Sequence, residues 1–332
     1  MKSYVVGLDI GGTKIAAGLV DLHGSLAVRM EVPTQQEKGF DHSFGRMIRL
    51  VESLLAHPSL KQASLIGMGA CAPGPLDPEK GILFNPPNLS GWQNVPIRAK
   101  LQTQYGLPVH VDNDANAAGL AEALWGAAAG HAHVFYTTVS TGIGTGIVLN
   151  RKILHGKNGI AGEGGHVTIN FGDTSYRCNC GNVGCIEAYA SGTHAARRAL
   201  EKLKGLPSLP PQLLEVTGGN WEDLTMKHLA QAARQGDSFS RSVIEETGTY
   251  LGIWLGGIVS LLDPDIIVIG GGLAEIGEPL FQAIRKEIPK RTINPFARET
   301  PVVKAAFEKD VGILGAAALV LSLPGRSRRL RA

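Results

Sequence analysis

Apolar positions near the start of this chain come in short runs closed by polar and glycine-rich turns, the pattern of strands rather than of amphipathic helices. Residues 4–8 predict a strand, Asp9-Ile10-Gly11-Gly12-Thr13-Lys14 a turn, and residues 15–20 a returning strand. The design recurs at residues 133–139, where a strand leads through Ser140-Thr141-Gly142-Ile143-Gly144-Thr145-Gly146 into a return over 147–149. Two such hairpins read as two copies of one unit at the heads of two domains. Between them the pattern predicts a helix over 44–57, a strand over 64–71 and a Pro/Gly/Asn loop as far as Asn94. A strand over 108–111 then meets Asp112-Asn113-Asp114, followed by an Ala-rich helix over 115–129. In the second half, residues 185–204 predict a helix, 205–219 a proline-containing loop, and 223–235 and 240–262 two further helices. An apolar strand over 265–269 ends in glycines, and a small-residue helix over 311–323 is suited to pack back on the first domain. Strands and helices mixed throughout, with no low-complexity segment, define an α/β chain.

The length of 332 residues favours two domains. With 44% hydrophobic and 18% charged residues the chain is too apolar for disorder. Its 43 glycines cluster at 11–12, 142–146, 162–165 and 270–272, which suggests backbone brought close to a ligand. The formal net charge is +3, but without Arg326, Arg328, Arg329 and Arg331 it would be −1. The basic character therefore lies in a tail read as a solvated terminus, and no nucleic-acid footprint is expected. No run of about 18 apolar residues predicts a membrane span. Asp9 interrupts the stretch that a signal peptide would need to be apolar, so a cytoplasmic protein is expected.

The chemistry that stands out is metal-like. His166, Cys178, Cys180 and Cys185 offer one imidazole and three thiolates, the soft tetrahedral set that Zn²⁺ favours. Gly181 and Gly184 would let a short loop bring the sulfurs to one point, against the alternative of unrelated cysteines in a loop. Four protein ligands leave no open position, so the zinc would be structural. His166 would be oriented by the metal, with its other nitrogen left to donate to a ligand. Asp114 sits where a strand gives way to a helix. It could be the helix N-cap or a general base at the strand's carboxyl end, and position alone leaves both open. The Asp9–Lys14 turn could be an ordinary hairpin. Paired with the 140–146 turn, it could instead be one of two backbone cradles for phosphate, with Asp9 holding Mg²⁺. A Walker A loop is absent. The glycine turn at 270–272 fails the dinucleotide fingerprint because Glu275 stands where the third glycine belongs.

The combination Asp9-Ile-Gly-Gly-Thr-Lys, Asn113-Asp114-Ala-Asn, Glu163-Gly-Gly-His166 and Cys178-x-Cys180-Gly-x-x-Gly-Cys185-x-Glu187 resembles the ROK family of repressors, open reading frames and kinases. The resemblance runs in order from about residue 4 to 320. It implies the actin/hexokinase-like (ribonuclease H-like) fold: two α/β domains flanking a cleft, commonly assembled as homodimers or homotetramers. Residues 1–117 with a C-terminal helix in 310–332 would form the smaller domain, and 118–309, with the zinc loop, the larger. The implied activity is transfer of the ATP γ-phosphate to the 6-hydroxyl of glucose, with Asp114 as the catalytic base. Gly74, Asn88, Asn113, Glu163, His166 and Glu187 would bind the sugar. Asp9, Gly11, Gly12, Thr13, Lys14, Thr141 and Gly142 would address the ATP phosphates and Mg²⁺, with Gly271 and Gly272 near the nucleoside. Gly164 departs from the family pattern, in which Ile or Leu commonly stands at that position, and so bears on the local loop shape. Kinases for N-acetylmannosamine, N-acetylglucosamine or fructose are the alternatives. A sugar-responsive repressor would need a helix-turn-helix domain, and three residues precede Tyr4.

Overall fold

The computed structural model describes residues 2–322. The Arg-rich tail lies outside the described residues, as do Leu323 of the helix expected over 311–323 and the remainder of the 310–332 segment. The described residues form two compact units, one of 2–132, 146–162 and 306–322, the other of 133–145 and 163–305. Both are α/β.

The first unit is built on a five-stranded sheet in the order Leu26–Pro33, Lys14–Asp21, Lys2–Ile10, Ala63–Ala72, Val109–Asn113. The first three strands form an antiparallel meander, and the last two run parallel to Lys2–Ile10 and to each other. Lys2–Ile10 reads as a continuous apolar run because both of its faces are covered. Tyr4, Val6, Leu8 and Ile10 join Met47, Leu50, Val51 and Leu54 of helix Phe40–Leu55 in one core. Val5 faces the other way, into a core with Ile313, Leu314, Ala317 and Val320 of helix Val311–Leu321. Burying each such side chain contributes about 1.5–3 kcal/mol. The edge strand Leu26–Pro33 is not among the predicted elements, although Leu26, Val28, Met30 and Val32 alternate with Arg29 and Glu31 as a half-buried strand does. In the structure its burial alternates residue by residue, as one covered face requires.

Several glycines outside the glycine clusters bring main chains together. A side chain on Gly7 or Gly69 would run into the backbone of Ile313 or Ala316, and one on Gly315 into the backbone of Ala117. Helix Val311–Leu321 is thus clamped between the sheet and helix Asp114–Trp125, and all but the first of its residues are buried. The far end of helix Asp114–Trp125 is fastened by Glu122, a fully buried carboxylate. It accepts from the backbone N–H groups of Ala127 at 2.7 Å, Ala306 at 3.1 Å and Phe307 at 2.9 Å. Replacing Glu122 by Gln keeps the shape but removes the charge and one acceptor oxygen. Unfolding in urea should show a loss of about 2–3 kcal/mol, the range for buried hydrogen bonds to a charged group.

The other sheet runs Lys152–Ile153, Ile143–Leu149, His133–Val139, Ile266–Gly270, Val302–Lys304, with the last three parallel. The boundary between units falls after Thr145, within Ile143–Leu149. Helix Ser238–Leu262 carries Gly248, Gly252 and Gly256 at four-residue spacing. Side chains there would meet Ala283, Glu287 and Arg291, so this stripe is the seam against helix Glu278–Glu287 and the turn after it. The helix expected over 185–204 is two helices, Ile186–Ala190 and Gly192–Lys204. Ser191 breaks it by adopting an extended backbone and capping the second helix through His194 N–H. The expected loop over 205–219 contains helix Pro211–Val216, and Ile97–Tyr105 and Glu278–Glu287 are helices the pattern did not predict. No described helix is long and apolar enough to cross a membrane.

Candidate active site

In the first unit, strand Val109–Asn113 delivers Asn113 and Asp114 at the start of a helix. The cap is Asn113, whose Oδ1 accepts from Ala115 N–H at 2.9 Å and Asn116 N–H at 3.3 Å. Asp114 is therefore the first helical residue, exposed, with Oδ1 2.8 Å from Ala115 N. The N-cap alternative for Asp114 falls to its neighbour. Asn113 has its oxygen committed to the cap, so its amide nitrogen is the group suited to a hydroxyl oxygen. Behind them Asp112 is buried, accepting from Asn113 N–H at 2.7 Å, Asn116 Nδ2 at 3.0 Å and His155 Nε2 at 2.6 Å. Asp112 carries no assigned role in the sequence, and His155, 43 residues away, leaves no local signal there. That hydrogen bond holds the His155 pKa above its usual value, against the opposing effect of partial burial.

The Gly11–Thr13 turn is closed by Gly11 N–H on Lys14 O at 3.0 Å and braced by Thr34, whose Oγ1 donates to Gly11 O at 2.6 Å. A side chain on Gly12 would collide with the Asn88 carbonyl, so the predicted phosphate turn and the predicted sugar residue Asn88 are neighbours. Gly74 precedes a cis-Pro75. Lys14 is drawn to Glu31, at 3.3 Å. Asp9 is half-buried, and burial raises its carboxyl pKa, offset in part by a hydrogen bond from Cys71 Sγ at 3.6 Å and by the charges of Lys14 and Arg29. A carboxylate with so little compensation fits a divalent cation.

In the second unit the four metal-like residues converge: their ligand atoms all lie within 4.8 Å of one another. Thiolates holding zinc at about 2.3 Å put their sulfurs about 3.8 Å apart. Here Cys180 Sγ and Cys185 Sγ are separated by 3.7 Å, and His166 Nδ1 lies 3.4 Å from Cys178 Sγ. The loop closes through Ile169 N–H on Gly184 O at 2.8 Å, with Gly184 at φ 83 and no room for a side chain against the Asn170 carbonyl. Burial raises the Cys178 and Cys185 thiol pKa values, so holding those two as thiolates calls for a cation. The donor set and its spacing fit Zn²⁺.

Glu187 follows the cluster. Its Oε2 accepts from Ile143 N–H at 2.9 Å, and Oε1 lies 3.4 Å from Cys178 Sγ. A side chain on Gly142 would press on the Glu187 carboxylate, which gives that glycine a packing reason besides any phosphate contact. The 140–142 turn is tighter than expected, since the return strand begins at Ile143 and Gly144 to Gly146 lie within it. Gly192 N–H donates to Ser140 O at 2.7 Å, and a side chain on Gly271 would meet Val139 O. Thr141, Gly142, Glu187, Gly271 and Gly272 thus belong to one neighbourhood. Glu163 is exposed at the residue before the short turn Gly164–His166, with no capping hydrogen bond from its side chain. Gly164 has a local reason: a side chain there would fall 2.8 Å from Thr145 Oγ1 and 3.2 Å from Trp254 Cζ2. Thr145 and Trp254 together fill the space a larger residue would need. Gly164→Ile should cost about 1–3 kcal/mol by overpacking, measured by thermal melting.

The ROK family pattern matches residues 5–322. The glucokinase of Thermotoga maritima is 35% identical over 319 residues, covering 96% of this chain and 98% of that protein. The xylose repressor of Caldicellulosiruptor bescii is 30% identical, covering 96% of this chain and 78% of that protein. Among solved structures, a ROK family glucokinase from Streptomyces griseus in complex with glucose and AMPPNP superposes with a TM-score of 0.79 at 33% identity, covering 95% of this chain and 98% of that one. The chain belongs to the ROK family, and its fold is the hexokinase-like α/β fold of that family.

Proposed function

We propose that the protein is an ATP-dependent glucokinase that phosphorylates the 6-hydroxyl of glucose, with Asp114 as general base. The supporting observation is the division of labour at the start of helix Asp114–Trp125. Asn113 caps the helix, and the carboxylate beside it is exposed at the helix's first position. Asp114 orients the 6-hydroxyl. As the bond from O6 to the γ-phosphorus forms and the bond to the departing ADP oxygen breaks, the proton of that hydroxyl passes to the Asp114 carboxylate.

The amide of Asn113, the carboxylates of Glu163 and Glu187 and the Nε2 of His166 take the remaining hydroxyls, with Asn88 and Gly74 completing the sugar set. Gly11, Gly12, Thr13, Lys14, Thr141 and Gly142 receive the phosphates, and Gly271 and Gly272 lie under the nucleoside. Asp9 holds Mg²⁺, whose chemistry is to neutralise phosphate charge. His166, Cys178, Cys180 and Cys185 hold a structural zinc. The enzyme works in the cytoplasm as a homodimer or homotetramer.

A coupled assay across glucose, N-acetylmannosamine, N-acetylglucosamine and fructose tests the substrate. We expect kcat/KM for glucose to exceed the others by about tenfold or more, the scale on which one hydrogen-bonded group discriminates. Equal turnover of an N-acetyl sugar would reassign the substrate, and no turnover of any would remove the kinase reading.

A further inference from the structure

A cavity of about 770 Å³ opens in the first unit beside the edge strand Val109–Asn113. Its wall carries Lys80, Arg98, Arg151, Lys152 and Lys157. Of the three carboxylates there, two are already matched. Asp77 lies 3.5 Å from Lys80 Nζ, and Asp112 accepts from His155 Nε2 at 2.6 Å. Only the exposed Glu79 remains to offset the other cations.

Arg98 directs its guanidinium at the carbonyls of Pro78 and Glu79, so its charge has no counter-ion in the wall. Arg151, Lys152 and Lys157 form no ion pair among the described residues. The backbone adds an independent sign. Asn150 and Arg151 make a two-residue hairpin turn, both with positive φ, 51 and 62, between strands paired at Leu149 and Lys152. That turn favours glycine at its second position, and a non-glycine residue held there costs about 1 kcal/mol or more. This chain keeps an arginine there, on the cavity wall.

We propose that this cavity binds a phosphate-class dianion, a phosphomonoester or inorganic phosphate, on Arg98, Arg151, Lys152 and Lys157. Guanidinium and ammonium groups lining an open concavity match a small dianion, whereas a nucleic-acid backbone would need an extended basic stripe. The volume takes a phosphate carried on a sugar-sized group. None of the four residues belongs to the sugar or ATP sets above, so the site stands apart from the catalytic reading.

Calorimetric titration of the full zinc-loaded chain tests the site, with inorganic phosphate in one arm and glucose 6-phosphate in the other. Both arms are run with glucose and a non-hydrolysable ATP analogue at saturation, to fill the catalytic site. We expect saturable binding of at least one probe. Combined Arg151→Gly, Lys152→Ala and Lys157→Ala, all at exposed positions, should weaken it tenfold or more and leave kcat for glucose within twofold. The arm that binds identifies the source of the phosphate. No saturable binding in either arm, or equal binding by the variant, would overturn the proposal. Because binding is read directly, a failure of sugar turnover would not affect the result.

Discussion

Asp114→Asn should lower kcat for glucose phosphorylation by about 10²–10⁴, the usual contribution of a positioned general base, while glucose affinity stays within about threefold. The geometry makes this substitution clean. The helix start is capped by Asn113, at 2.9 and 3.3 Å from its acceptor's two N–H partners, so the helix does not depend on the Asp114 carboxylate. An asparagine at the same place keeps an oxygen for Ala115 N–H, which Asp114 Oδ1 meets at 2.8 Å. It loses the favourable charge at a helix N-terminus, about 0.3–1 kcal/mol, which a thermal melt will register as a small shift. What it cannot do is accept the hydroxyl proton. Steady-state turnover, read beside calorimetric glucose binding, separates the two effects. Turnover within tenfold of the parent would remove Asp114 from the base role. Asn113→Ala should behave differently: it loses the cap, about 1 kcal/mol, and disturbs Asp114 indirectly, so stability and turnover fall together.

The legible parts of this molecule were those written locally. The Gly11–Thr13 hairpin, the strand leading into Asn113 and the cysteine loop each carry their reason within a few residues, and each folds near its expected bounds. The glycine clusters were legible as a signal, whereas the isolated Gly7, Gly69 and Gly315 were not. Gly7, Gly69 and Gly315 admit a helix onto a sheet and a helix onto a helix, through partners far along the chain that no spacing reveals. Glu122 and Asp112 were silent for the same reason. Their partners at Ala306, Phe307 and His155 arrive from distant segments. Capping illustrates the limit on the finest scale. Asp and Asn are both good caps, and only the backbone decides that Asn113 is extended and Asp114 helical. One residue of register separates a structural carboxylate from a chemical one.

Loss of the metal centre should act on the sugar more than on the fold. Cys180→Ser, chosen because Cys180 is exposed while Cys178 and Cys185 are buried, should reduce bound zinc from about one per chain to near zero by elemental analysis. We expect the glucose KM to rise by about 10–100-fold, the cost of freeing groups that a metal holds in place, with a smaller change in kcat. The reason lies in which atoms face the cluster. His166 turns Nδ1 to Cys178 Sγ at 3.4 Å, which assigns the sugar to Nε2 and ties the ring's orientation to the thiolates. Glu187, two residues after Cys185, is anchored on the other side by Ile143 N–H at 2.9 Å. Releasing the cluster therefore frees the imidazole entirely but the carboxylate only in part. His166→Gln separates the contributions: if orientation by the metal is the cause, this variant should match the KM of Cys180→Ser, and removing zinc from it should add little. An unchanged KM in zinc-free protein would show that the thiolates hold a loop and nothing more.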